Sequence, residues 1–161
     1  METTSLLRLN ELHPLIRQSA IDAYNEAVKS TPVGVHPFIT QTYRSFAESD
    51  TLYAQGRTTP GEIVTNSKAG QSYHNYALAL DFNLQINGKD SWNVDDNWMK
   101  VVNIFKKFGF QWGGDWNNFK DYPHLEKKLG YNWRDLLVKH NAGNFIGNTA
   151  FLNITDNSNL A

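Results

Sequence analysis

Apolar residues recur along this chain with two periods, and the switches between them divide it into elements. Leu12, Ile16, Ala20, Tyr24 and Ala27 fall at helical spacing, and Pro14 suits a first helical turn, so a helix is predicted over 14–29. A turn-rich stretch, 31–34, follows. Residues 36–44 then alternate and predict a strand with Phe38, Thr40, Thr42 and Arg44 on one face. Ser45 and Glu48 form a capping-box pattern that opens a helix ending near Gly56. Residues 58–61 read as a turn and 66–71 as a polar, glycine-containing loop.

The strictest alternation lies at 77–84. Leu78, Leu80, Phe82 and Leu84 share one face, Ala77, Ala79, Asp81 and Asn83 the other, which predicts a half-buried strand. Asn87-Gly88 is a hairpin signal. An amphipathic helix over 95–108 follows, with Trp98, Val101, Val102 and Phe105 on one stripe and Gly109 as its stop. Residues 110–116 read as a strand entering a loop. Pro123 biases Tyr122 away from helix, so 122–126 is expected to be extended. A short helix is predicted over 132–139, then a polar tail from Asn141. The mixture is an α+β domain.

The 161 residues are the size of one domain and suffice for an apolar core without cross-links. A net charge of -1 argues against a nucleic-acid binder. The chain has no cysteine, which removes disulfides, thiolate metal sites and a catalytic thiol. Any metal must be held by His, Asp or Glu. No run approaches the roughly 20 apolar residues of a membrane span. The N-terminus lacks the pattern of a signal peptide.

Within this frame, Asp81 shares its strand face with two small residues, Ala77 and Ala79, which leaves room for something to approach the carboxylate. On that pattern alone the commoner reading is a solvent-facing acid on an edge strand. His74 lies seven residues earlier, and seven residues of straight strand span roughly 23 Å, too far for two ligands of one ion. If both bind one metal, the chain bends between them, near Asn75-Tyr76. Downstream, His124 and Glu126 share a face in extended chain, and Asp121 lies three residues before His124. Two His, one carboxylate and an open position make a catalytic zinc set, with a second carboxylate to take a proton from water. Five His and sixteen acids offer many such triplets, so residue chemistry alone leaves the matter open.

The segment Ser72-Tyr73-His74-Asn75-Tyr76-Ala77-Leu78-Ala79-Leu80-Asp81 resembles the Ser-x-His-x-x-Gly-x-Ala-x-Asp motif of the zinc D-alanyl-D-alanine carboxypeptidase family. That family includes VanY-like carboxypeptidases and L-alanyl-D-glutamate endopeptidases. Trp112-Gly113-Gly114-Asp115-Trp116 and Asp121-Tyr122-Pro123-His124-Leu125-Glu126 resemble its second motif. Tyr43-Arg44-Ser45 and Leu52-Tyr53-Ala54-Gln55-Gly56-Arg57 are similar to its endopeptidase branch, which contains phage endolysins. The likeness spans roughly residues 8–140. It implies a compact α+β domain of Hedgehog/DD-peptidase-like fold, with helices packed on an antiparallel sheet and zinc in a surface groove.

By the same resemblance, His74, Asp81 and His124 match the zinc ligands and Asp121 the general base. Arg44 matches an arginine that holds substrate or the developing oxyanion, or is a surface ion-pair residue. Ser72 is expected to orient the site. Glu126 is either a partner that holds a ligand or a solvated strand acid. Trp112, Trp116, Tyr73 and Tyr76 flank the site, as groove lining or as core. The family's glycine is Ala77 here, a departure that bears on local geometry.

The implied function is hydrolysis of the L-Ala-D-Glu bond of the peptidoglycan stem, with 57–61 and 113–116 favouring that branch. The rivals are a D,D- or L,D-carboxypeptidase and a catalytically silent peptidoglycan-binding module. Residues 1–140 are expected to form the catalytic domain of a monomer, with 141–161 as a tail packed on it. A phage endolysin acting on the cell wall is the favoured setting. The Asn153-Ile154-Thr155 sequon reads as a chance pattern.

Overall fold

The computed structural model describes residues 2–159, so the last two residues of the predicted tail lie outside it. Helix α1 (Thr3–Leu9) leads into α2 (Pro14–Ser30), then strand β1 (Val35–Gln41) and helix α3 (Phe46–Ala54). After a long loop and a 3-10 turn at Tyr73–Tyr76 come β2 (Ala79–Ile86), β3 (Lys89–Ser91) and α4 (Asp96–Lys107). Strand β4 (Gln111–Trp112), a 3-10 turn at Gly113–Asp115, β5 (His124–Glu126) and α5 (Trp133–Asn141) complete the chain.

All strand pairs are antiparallel, in the order β1-β2-β5-β4. β1 runs along one edge of β2, while β5 and β3 share the other edge end to end, pairing with 79–81 and 84–86. Leu80, Phe82 and Leu84 turn to the helical side, where the Phe82 and Trp98 rings lie 4.5 Å apart, so the α4 stripe predicted from periodicity meets this face. The outer edge of β1 is covered rather than left open: Ser5 Oγ accepts from Ile39 N, and Arg8 and Tyr24 donate to the Ile39 and Pro37 carbonyls. Helix α1, which carries two of these contacts, has no counterpart among the elements expected from periodicity.

The helical boundaries follow their local signals. Ser45 and Glu48 make the predicted capping box, Asp95 caps α4, and Gly109 follows its end at φ +90°.

The strands depart from expectation in three ways. β1 stops at Gln41 after a bulge, so Arg44 lies beyond the strand instead of on its face. β2 begins at Ala79, two residues later than predicted, because Ala77 ends the 3-10 turn at φ 56°, ψ 32°. β2 is also buried on both faces over much of its length, since Ala79 and Asn83 are covered as fully as Phe82.

The tail joins the core through Leu152, whose carbonyl accepts from His13 Nε2 at 2.8 Å. His13 Nδ1 in turn caps α2 by accepting from Leu15 N.

Candidate metal centre and its groove

Two neighbouring strands supply half of the site. In the β2–β5 register Asp81 stands opposite His124, and Ala79 opposite Glu126, so all four side chains share one face. Ala79 is small, which leaves space beside the carboxylates.

His74 reaches the same point from the preceding 3-10 turn. The left-handed conformation of Ala77 supplies the reversal that a straight strand lacks, and its N–H closes on the His74 carbonyl. The bend therefore falls one or two residues later than Asn75-Tyr76. The result is a distance of 3.1 Å between His74 Nε2 and Asp81 Oδ1, with His124 Nδ1 at 3.3 Å from the same oxygen.

The turn itself is held by Ser72, which accepts from His74 N, and by Asn75. The Asn75 side chain accepts from Gly70 and Ser72 N–H groups and donates to the Arg44 carbonyl and Ser49 Oγ. The sequence marks Asn75 only as part of a bend, although its place directly after His74 is a usable signal for this role.

Each imidazole is fixed from behind. His74 Nδ1 lies 2.7 Å from the Thr42 carbonyl, which can only accept, so this nitrogen donates and Nε2 is left with a lone pair. His124 Nε2 lies 2.7 Å from Oε1 of the buried Glu126, which orients Nδ1 toward Asp81 in the same way. The solvated-acid reading of Glu126 is thereby corrected: pairing on both sides of β5 buries it.

Among the described residues His74, Asp81 and His124 form a cluster whose donor atoms all lie within 4.8 Å of one another. Two lone pairs and a carboxylate oxygen converging on one point fit a tetrahedral metal ion with an open position. The charges agree with that fit. Burial alone would raise the Asp81 carboxyl, but the two imidazoles outweigh it and hold it well below the usual carboxylate range. Burial lowers His124, yet hydrogen bonds to Asp81 and Glu126 raise it to about 9, so without a cation the site holds a proton in its place.

Asp121 stands at the mouth, half-exposed, with Oδ2 4.0 Å from His124 Nδ1. Burial raises its carboxyl and repulsion from Asp81 adds to this. Its position depends on Gly113, where a Cβ would lie 2.3 Å from the Asp121 carbonyl oxygen, and the two backbones are joined by Asp121 N donating to Gly113 O.

Arg44 lies beside Gln41, to which it donates, and among the described residues its Nε is buried without a partner. It lines a groove of about 220 Å³ with Ser72, Tyr73, Trp116, Asp121, His124 and others. The Trp116 ring lies 5.1 Å from that of His124. Trp112 and Tyr76 sit elsewhere: Trp112 is buried and donates to the Tyr122 carbonyl, and Tyr76 donates to the Gly70 carbonyl from within the core. Thr42 and Lys128, a further lining residue of the groove, carried no signal in the sequence.

A carboxylate-bridged pair of imidazoles, held from behind and open to a groove with a further carboxylate at its mouth, could hold a metal ion with an open position. A family model described as D-alanyl-D-alanine carboxypeptidase matches residues 65–127, a span that holds His74, Asp81, Asp121 and His124. The chain is similar to the peptidoglycan L-alanyl-D-glutamate endopeptidase CwlK of Bacillus subtilis, 48% identical over 126 residues that cover 73% of this chain and 74% of that protein. The chain belongs to this family of peptidoglycan peptidases. It is also similar to the L-alanyl-D-glutamate peptidase of Listeria phage A118, 42% identical over 66 residues, covering 38% of this chain and 24% of that one. In fold it resembles the L-Ala D-Glu endopeptidase ChiX of Serratia marcescens, with a TM-score of 0.58 at 20% identity over 83% of this chain and 90% of that one.

Proposed function

We propose that this chain is a zinc-dependent endopeptidase that hydrolyses the L-alanyl-D-glutamate bond of the peptidoglycan stem peptide. The observation that carries the reading is the convergence of His74, Asp81 and His124 with Asp121 at 4.0 Å from His124. The 48% identity to an enzyme named for that bond supports the choice of substrate.

His74 through Nε2, Asp81 through Oδ1 and His124 through Nδ1 would hold the ion. Zinc, when bound there, supplies a Lewis acid that acidifies a water and polarises the scissile carbonyl. Asp121 takes a proton from the attacking water, and its raised carboxyl makes it a better base than an ordinary aspartate. As the C–N bond breaks, Asp121 returns that proton to the amine nitrogen. Arg44, lining the same groove, balances the oxyanion as the carbonyl becomes tetrahedral. Glu126 and the Thr42 carbonyl keep the imidazoles aimed throughout. An intact base at the mouth of the site argues against a silent binding module.

The test is incubation of purified muropeptides with the zinc-loaded protein, followed by identification of the new termini by mass spectrometry. New alanyl carboxyl and glutamyl amino termini are expected. Release of the terminal residue of the stem instead would assign a carboxypeptidase. Chelation should abolish cleavage and zinc should restore it. Full activity after zinc loss is confirmed by elemental analysis would overturn the metal site.

A further inference from the structure

The groove has two halves that meet at Asp121. One half is lined by Arg44, Tyr73, His124, Glu126 and Lys128. The other, about 490 Å³, is lined by Ile63, Val64 and Phe119 together with Asn66, Asn118 and Lys120. Thr65, Ser67, Trp116 and Asp121 line both, so the proposed base stands at the junction. The second half is of mixed lining, and Phe119 in it is 81% exposed in a left-handed conformation, φ +49°. Its one lysine, Lys120, already donates to the Gly114 carbonyl at 2.9 Å.

The first half carries most of the charged groups. A divalent cation held by His74, Asp81 and His124 would, with Arg44, balance Asp81, Asp121 and Glu126, and Lys128 would then be the surplus positive charge of this half. Lys128 is partly exposed, and its Nζ lies 3.5 Å from Glu126 Oε2 and 5.3 Å from the Tyr73 ring centroid. Among the described residues no other acceptor engages it. The contact with Glu126 is an ion pair without a hydrogen bond, Oε2 having no hydrogen-bond partner among the described residues, so the buried carboxylate keeps the ammonium group nearby while its three donors serve a ligand.

The geometry points to Lys128 as the residue that reads a carboxylate on the amine side of the scissile bond, so that the stem peptide lies in the groove in one direction only. This rests on the endopeptidase reading above. A glutamyl residue joined through its amine and one carboxyl keeps the other carboxyl, either free or as the amide. That group lies a few atoms from the bond to be cut. The alanyl side offers no such charge, and it runs past Asp121 into the half lined by Ile63, Val64 and Phe119.

Two synthetic stem peptides, identical except that the glutamyl residue bears a free carboxylate or its amide, test this. The zinc-loaded protein is expected to show a KM about tenfold lower for the carboxylate, with kcat alike, because a charge-assisted hydrogen bond is made only there. Lys128→Met should equalise the two KM values and Lys128→Arg should restore most of the difference. Phe119→Ala should raise KM for peptides carrying a bulky apolar group on the alanyl amine and leave the carboxylate preference unchanged. Calorimetric binding of both peptides to Asp121→Asn, with and without Lys128→Met, reads the same preference while no bond is cut. A preference that survives Lys128→Met, is absent from the parent protein, or is removed by Phe119→Ala overturns the assignment. If binding shows the Lys128-dependent preference but only the terminal residue of the stem is released, the endopeptidase reading falls and the role of Lys128 stands.

Discussion

Replacing Glu126 with Gln keeps the shape behind His124 and removes the charge, and it sets two effects of opposite sign against each other. The pair is short and buried, with His124 Nε2 2.7 Å from Glu126 Oε1. A charged acceptor on the far nitrogen raises the basicity of the nitrogen that faces the metal, and losing such a partner costs about 10–100-fold in metal affinity. Against this stands proton competition. In the metal-free protein Asp81 and Glu126 overcome burial and raise His124 to about 9. A metal ion must displace that proton, so affinity should fall about tenfold for each pH unit below that value, or about 100-fold at pH 7.

The glutamine variant loses one of the two carboxylates that hold the proton, so its imidazole titrates lower and the competition weakens. Zinc affinity measured by competition with a chromophoric chelator, from about pH 6 to about pH 10, should therefore give two curves of different shape. They should lie about 10–100-fold apart at high pH and converge toward neutrality. The same linkage acts on folding. A raised histidine pKa contributes stability that is fully present below the unfolded value of 6.5 and is lost as pH rises through about 9. The metal-free variant should show a smaller loss across that window. Parallel affinity curves, or equal plateaus, would refute the pairing.

Asp121→Asn should keep zinc near one per chain and lose about 10²–10⁴ in hydrolysis, whereas Asp81→Asn should lose metal and activity together; the reverse pattern in zinc content would exchange their roles. Ala77→Gly should change unfolding free energy by less than about 1 kcal/mol and turnover by no more than a few-fold. Glycine relieves about 1–2 kcal/mol of left-handed strain but forgoes about 0.8 kcal/mol of buried methyl and about 0.4–1 kcal/mol of unfolded-chain entropy. A large gain in turnover would show that the alanine distorts the site. Leu152→Ala should lower stability by about 2–5 kcal/mol in denaturant unfolding, because the side chain is 1% exposed within the core; a loss near zero would show that the tail contributes little to the domain.

The amino-acid sequence by itself determined four of the five α-helices and their approximate ends, α1 being the exception. The α4 stripe, the Ser45–Glu48 box and the Gly109 stop are properties of residues a turn or two apart, and distant contacts did not override them. It also brought forward the residues that now form the cluster, through two motifs in order along the chain. Tertiary structure decided how they meet. The reversal between His74 and Asp81 sits at an alanine, and nothing in that residue type announces a positive φ as glycine would have done. The period of two placed Glu126 beside His124, but its burial depended on pairing with β2 and β4. The same register set Asp81 opposite His124, and a slip of one residue would have turned the two to opposite faces. Thr42 serves the site through its carbonyl, a group every residue carries, so no side-chain pattern could select it. Lys128 reads as one more solvated lysine until the strand and the long loop enclose the groove that it lines.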